Sequence, residues 1–376
     1  MRRLFSGIVA LCMLIALGAL AEEDVSYLEM LNPPAQTGQA AEQSPAPEGT
    51  PVPTTEADGS ILLTMSFTGD VTIGGDIRKS AKSIFDKELD VQNGDLSFPF
   101  RNVKDIFSQD DMTLVNFEGT LTTAPINSAK KENSFLFSAP TSYVQVLTSG
   151  SVEAVSLENN HVYDHGQAGY QETQQTLKSA GIVYSGGGEL GVYTVKSIPI
   201  AMLSYQTFDA YPTLFEQVPK DVAAAKAQYP IVIVSFHWGA ELDYKPNDNQ
   251  QKMAKMTIDA GADLVIGHHS HRINPIEEYK GKYICYSLGN FSFAGNAKPN
   301  DMSTYIFQTR FRVINGVAAP EGFRIIPCRI SSRTDYNDFA PTPYTSDSSI
   351  QSLLSVLQSN GKSLDNPVPE YPLEWK

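Results

Sequence analysis

Cysteine is scarce in this chain, and its placement excludes several chemistries at once. Only three occur in 376 residues, and one of them, Cys12, falls in an apolar N-terminal leader. The other two, Cys285 and Cys328, sit in the strand-like runs "YICYSLGN" and "RIIPCRI". A domain of this size does not depend on a disulfide for its core, so both read as buried free thiols, with a bond between them as the alternative. No cysteine accompanies any histidine cluster, which excludes a structural zinc site of the thiolate type. No serine occupies a Gly-x-Ser-x-Gly elbow and neither later cysteine lies near a histidine, so nucleophilic Ser or Cys catalysis has no support. A Gly-x-x-x-x-Gly-Lys-Ser/Thr phosphate loop is also missing. "YSGGGELG", from Tyr184, lacks the spacing of a dinucleotide fingerprint and reads as a turn.

Basic residues are few as well. Lys and Arg number 28 against 42 Asp and Glu, a formal charge of −14, and an acidic surface argues against nucleic acid or a bare anionic membrane as partner. The first residues, "MRRLFSGIVALCMLIALGALAEED", combine Arg2 and Arg3, an uncharged apolar run and the exit Ala19-Leu20-Ala21. This is the pattern of a secretory signal peptide cleaved near Ala21, which predicts an exported, extracellular or cell-surface protein. A retained N-terminal membrane anchor is the alternative, because a span needs roughly 20 apolar residues and this run is almost that long. Residues 22–60, rich in Pro, Ala, Thr and Gln, carry too little apolar surface to offset the entropy of ordering, and predict a disordered tether.

What remains has the means to fold: with 41% hydrophobic residues, the chain buries a large core. From Ile61, short apolar runs alternate with helix-length amphipathic stretches. The strand candidates are "ILLTMSFTGDV", "MTLVNFEG", "VEAVSLENNH", "PIAMLSY", "PIVIVSFHWG", "ADLVIGHHSH" and "YICYSLGNFSF". Between them, "AGYQETQQTLKSAG" places Tyr170, Thr173, Leu177 and Ala180 at helical spacing, and "NDNQQKMAKMTIDAG" closes on Gly261. Alternation of this kind predicts an α/β domain with a parallel or mixed sheet over residues 61–330. Near its end, "STYIFQTRFRV" and "GFRIIPCRI" predict a hairpin around "INGVAAPE". Residues 331–376 read as a polar C-terminal extension with one short helix, "SSIQSLLSVLQS".

Histidine is sparse and clustered. All six fall in three short stretches: "ENNHVYDHG", "SFHWGAE" and "VIGHHSH". Asp70, Glu118, Asn160 with His161, His237, the His268–His271 group and Asn290 all stand at the C-terminal ends of apolar runs. In open α/β sheets that edge is where ligands bind. Carboxylate, amide oxygen and neutral imidazole together are a ligand set for Zn, Mn, Fe or a similar divalent metal. On an extended strand His269 and His271 would face the same side, whereas a bend after Gly267 would bring in His268 instead.

These residues, in this order, resemble the CapA/PgsA-type capsule-synthesis proteins, implicated in poly-γ-glutamate production and built on the calcineurin-like metallophosphatase fold. The resemblance spans about residues 62–293. It rests on "FTGDV", "VNFEGTLT", "ENNHVYDHG", "HWGAE", "GHHSHRINPIE" and "YSLGNF". It implies an α/β/β/α sandwich with mixed sheets and one or two divalent ions. Their ligand candidates are Asp70, Glu118, Asn160, His237, His269 and His271. His161 is then a general acid, or a histidine behind the ligands, oriented by Asp164, while Glu241, which the resemblance groups with the catalytic residues, lines the pocket with His268, Asn290 and Arg272. Trp238 reads as packing. Where metallophosphatases usually open with Asp-x-His, this chain has Thr72 two residues after Asp70.

The implied function is cell-surface poly-γ-glutamate synthesis or processing by a metal-dependent hydrolase or transferase, through a metal-activated water. Poly-γ-glutamate or another anionic surface polymer is the expected ligand, and membrane-bound capsule-synthesis subunits are the expected partners. Two alternatives stay open: a non-catalytic surface subunit that guides or anchors polymer, and an exported metallophosphoesterase.

Overall fold

Each strand expected between Ile61 and Phe293 forms, and one of them divides between two sheets. The structure, a computed structural model, describes residues 55–375 except 77, 79, 81 and 127–134. The leader, and all of residues 22–60 except the last six, lie outside the described residues. In chain order the strands are β1 (Ile61–Thr72), β2 (Met112–Phe117), β3 (Thr120–Leu121), β4 (Ser138–Ala139), β5 (Ala154–Ser156) and β6 (Val183–Ser185). They continue with β7 (Gly191–Val195), β8 (Ile198–Gln206), β9 (Ile231–His237), β10 (Leu264–His268) and β11 (Ile276–Tyr279). The last are β12 (Lys282–Cys285), β13 (Asn290–Phe293), β14 (Ser303–Ile314), β15 (Val317–Arg329) and β16 (Thr342–Pro343).

Two mixed sheets result. The first runs β16-β15-β14-β1-β2-β5-β6, with β13 also paired to β1, and the second runs β11-β12-β10-β9-β8-β7. The neighbours β1, β2, β5 and β6 are parallel, as are β8, β9, β10 and β12. A small pair, β3 and β4, stands apart. Three apolar clusters reveal the layers. One joins the facing sides of both sheets, with Leu63, Met65 and Leu114 meeting Ile200, Ile233 and Leu264. A second covers the outer side of the first sheet with the region of helices 84–91, 145–149 and 166–179. The third covers the second sheet with helices Tyr211–Lys226 and Asp248–Asp259. Burial on both faces explains why the parallel strands read as continuous apolar runs. The order helix, sheet, sheet, helix is the expected sandwich.

Local chemistry accounts for several boundaries. Ser83 caps helix Ile84–Val91 and Asn247 caps helix Asp248–Asp259, each in a reciprocal capping box with the side chain three residues on. The hairpin turn is tighter than expected: only Asn315 and Gly316 separate β14 from β15, both with positive φ (52° and 79°). That is the two-residue turn that Asn-Gly favours, and most of "INGVAAPE" belongs to β15. Residues 331–375 supply β16, helix Asp347–Gly361 and the buried side chains of Leu353, Leu357, Val368 and Tyr371, which join the cluster between the sheets. Cys285 and Cys328 are free and buried. No helix among the described residues is long and apolar enough to cross a membrane.

The expected strand "YICYSLGNFSF" is the one that divides. Lys282–Cys285 pairs with β10 in the second sheet, the chain crosses at Tyr286–Gly289, and Asn290–Phe293 pairs with β1 in the first. Asn290 therefore opens a strand, rather than ending one, and lies beside Asp70 in register. Two glycines permit the crossing. A Cβ on Gly69 would stand 1.8 Å from the Gly289 carbonyl oxygen, and one on Gly267 would stand 2.0 Å from that of Tyr286.

Candidate metal centre

The parallel strands of both sheets deliver their C-terminal ends to one rim. Asp70 comes from β1, Glu118 follows β2, Asn160 and His161 follow β5, His237 ends β9 and His268 ends β10. His271 ties the sheets together: its Nδ1 is 3.0 Å from Asp70 Oδ2 and 2.9 Å from Asn290 Oδ1, and its Nε2 is 3.9 Å from Glu118 Oε1. Ligand atoms of Asp70, Glu118 and His271 all lie within 4.8 Å of one another. The same holds for Glu241, His269 and His271, so two candidate clusters share one imidazole. His237 Nε2 lies 2.9 Å from Asn160 Oδ1.

His269 and His271 do converge, but not through strand alternation. β10 stops at His268, and His269 and His271 take φ of 89° and 54°, a region that residues with a side chain rarely enter. Such strain gathers at functional sites and is held by surrounding contacts. His268 points into the same region. It is fully buried, with Nδ1 3.7 Å from Asp70 Oδ1.

His161 is held by a carboxylate at the edge of the cluster. Its Nδ1 is 2.8 Å from Asp164 Oδ2, which also accepts from the Phe137 amide, and its Nε2 is 3.7 Å from Glu118 Oε1. The carboxylate fixes ring and tautomer, leaving Nε2 toward the site. His165, in the same stretch, instead hydrogen-bonds the Ala124 carbonyl. Arg272 engages the His271 carbonyl, Asp301 and the Tyr244 ring. Trp238 is buried, stacked on Phe236, and donates to the Tyr286 carbonyl, which is a packing role. Thr72, two residues after Asp70, donates its hydroxyl to the Glu118 carbonyl and steadies that loop.

Two amides escaped the sequence reading. Asn116 Nδ2 donates to Asp70 Oδ1 at 2.8 Å and lies 3.4 Å from His237 Nδ1. Asn159 Nδ2 donates to Asn116 Oδ1 and the Phe117 carbonyl, while its own Oδ1 accepts from the His161 amide. The available signal was an amide within the otherwise apolar run "MTLVNF", two residues before Glu118 and thus on the same strand face. Aromatic rings enclose the imidazoles: Phe137 against His161 at 4.5 Å, Phe208 against His269 at 4.7 Å and Phe293 against His271 at 4.8 Å between centroids.

The electrostatics fit a bound cation. Both Glu118 carboxylate oxygens, both His268 ring nitrogens and His269 Nδ1 are buried without a hydrogen-bond partner among the described residues. Orphaned polar atoms of this kind are costly unless something else satisfies them. Burial, with the charge of Asp70 beside it, pushes the Glu118 carboxyl well above its ordinary value. Burial would raise Asp70 too, but hydrogen bonding and charge from His271 hold it below. Burial pushes His237 well below its ordinary value and His268 and His269 down to about 4, leaving neutral imidazoles with lone pairs to offer. Only His271 moves upward, to about 9, where Glu118 and Asp70 outweigh its burial. Two buried carboxyl groups share one imidazolium, and the rise at Glu118 expresses the shortage of positive charge that a divalent ion would relieve. Asp70, Glu118, His269, His271 and Glu241 are the residues that would hold it, with His237, Asn160 and His268 adjoining.

Comparison with known proteins identifies the family. Residues 64–294 match the model of the bacterial capsule synthesis protein family PGA_cap, and the chain belongs to that family. It is 30% identical over 257 residues to the capsule biosynthesis protein CapA of Bacillus anthracis, covering 61% of this chain and 60% of that one. To the PGA biosynthesis protein CapA of Bacillus subtilis it is 32% identical over 252 residues, covering 62% and 63%. The chain thus aligns with somewhat under two thirds of the length of these relatives. Among solved structures, the calcineurin-like phosphoesterase YfkN from Bacillus subtilis aligns with 80% of this chain and 99% of its own, at 14% identity and a TM-score of 0.44.

Proposed function

We propose that this protein is exported and acts at the cell surface in the synthesis or processing of poly-γ-glutamate capsule, as a divalent-metal-dependent hydrolase or transferase. The observation that carries the reading is the meeting of Asp70, Glu118 and His271, with orphaned carboxylate oxygens, beside the His161–Asp164 pair. A divalent cation at such a site polarises a substrate oxygen and lowers the pKa of water. The chain's own residues do the rest. His161 Nε2, its tautomer set by Asp164, faces Glu118 from a position to give a proton to a leaving group. Phe137, Phe208 and Phe293 limit water around the imidazoles, which strengthens every charge interaction there. Residues 1–21 would direct export or remain as an anchor, and membrane-bound capsule-synthesis subunits would be partners.

The test is metal analysis of the purified full chain, followed by γ-glutamyl amide and phosphoester cleavage assays with Mn or Zn, for the native protein and His161→Gln. Metal-dependent cleavage of the γ-glutamyl bond, lost with His161→Gln, supports the proposal. Stoichiometric metal without turnover of either substrate would instead identify a subunit that only guides polymer.

A further inference from the structure

A second cleft, of about 340 Å³, opens on the outer side of the first sheet, at the opposite end of β1 from the metal centre. Thr64 lines it, six residues before Asp70, which at ~3.3 Å per residue puts the two sites on the order of 20 Å apart along the strand. Its volume falls near the lower end for small-ligand sites. On β14, Gln308 and Arg310 point into it while the alternate residues Thr309 and Phe311 are buried. Arg324, opposite Gln308 on β15, and Trp375 complete that wall.

Both guanidinium groups are held against the Trp375 ring, and among the described residues only Arg324 has a charge partner. Arg310 lies over the Trp375 ring at 4.0 Å, and Arg324 lies 5.1 Å from the same centroid. Arg324 Nε donates to Gln308 Oε1, and one of its amino groups is 3.5 Å from the exposed carboxylate of Glu374. Arg310 makes no hydrogen bond or ion pair among the described residues, and its Nε is buried without a partner. A guanidinium presents five donors in a rigid fork that matches a carboxylate, so a pre-stacked, unpaired one is a waiting receptor. The cleft is also lined by Asp105 and Asp110, neither within ion-pair distance of Arg310 or Arg324 among the described residues. Those acids disfavour a compact dianion and suit a singly charged carboxylate that carries an N–H donor nearby.

We propose that this cleft binds a carboxylate of an acidic amide-linked chain, with the carboxylate on Arg310 and Arg324 and its flank against Trp375. The choice of a glutamyl chain rests on the function proposed above; the carboxylate site itself does not. It would hold polymer at a distance from the metal centre without taking part in chemistry.

Intrinsic fluorescence offers a direct test, because the chain has only two tryptophans and Trp238 is fully buried. Titrating the full-length protein with a short γ-linked glutamyl oligomer at low salt should give a saturable change that Trp375→Phe abolishes. Arg310→Gln and Arg310→Lys should each weaken binding about tenfold or more, since a charge-assisted fork is lost in both, with circular dichroism unchanged. His271→Ala should leave the titration as it was. The proposal would be overturned by the lack of a saturable change into the millimolar range, by native affinity in both Arg310 variants, or by displacement by inorganic phosphate as readily as by oligomer. Loss of binding in His271→Ala alone would also overturn it while leaving the metal-centre reading intact. Cleft binding by a protein inactive toward γ-glutamyl bonds would do the reverse.

Discussion

His271 Nδ1 and Asp70 Oδ2 stand 3.0 Å apart although 201 residues separate them in the chain. The pair joins the two sheets at the point where ligand atoms converge, so removing the imidazole should empty the site. His271→Ala is expected to lose bound metal after dialysis while its far-UV circular dichroism is kept. His268→Ala should weaken affinity by roughly 10–100-fold, the usual cost of disturbing a group behind the ligands. Full occupancy in His271→Ala, with an empty site in His268→Ala, would reverse the assignment.

Asn116 supports the centre from beneath by its bond to Asp70 and its approach to His237. Asn116→Leu keeps the volume but frees both partners. Metal affinity measured calorimetrically should drop by roughly 10–100-fold. An unchanged affinity would reduce Asn116 to packing.

Stability should fall as pH rises through the neutral range, and two acids identify part of the cause. Thr113 donates its hydroxyl to Asp110 Oδ2 and its amide to Glu153 Oε2. Burial pushes both carboxyls up to about 7, with the neighbouring charges of Glu153 and Asp111 adding to the rise at Asp110. In the unfolded chain both titrate near 4, so the folded state binds their protons more tightly. Their contribution is complete below about 4 and is lost as pH climbs through about 7. The double variant Asp110→Asn, Glu153→Gln should therefore show a flatter thermal midpoint between about pH 5 and 8 than the native protein. Parallel pH profiles would contradict the assignment.

Gly69→Ala tests the crossing beneath the site. Its Cβ would meet a backbone carbonyl, which cannot rotate aside, and the expected cost in chemical denaturation is about 3 kcal/mol or more. Gly361→Ala, whose Cβ would find its nearest neighbour at 3.5 Å, serves as the tolerated control.

The strands were readable because burial on both faces makes each an unbroken apolar run, and the rim because polar residues close those runs. The His161–Asp164 pair was reached through the family resemblance, and the contact is local, the two being three residues apart. Other features depend on contacts that spacing does not encode. Nothing local in "YICYSLGNFSF" reveals that its halves pair with different sheets; that follows from Gly69 and Gly267 on distant strands. The convergence of His269 and His271 was expected for an alternation that positive φ replaces. Asn116 looked like one more strand residue until Asp70 and His237 were placed around it. Helix Ile84–Val91 has only two buried residues, Phe85 and Glu88, too few to announce itself by periodicity.

The passage of Lys282–Phe293 from one sheet to the other also governs how the molecule can come apart. A dozen residues contribute a strand to each half, so neither half can loosen without pulling on the segment that sets Asn290 beside Asp70 and His271. The candidate metal centre is thus sewn into the seam of the sandwich. Amide protons on β10 and β1 should exchange in one concerted event, and bound ion should slow both alike, although the two strands belong to different sheets.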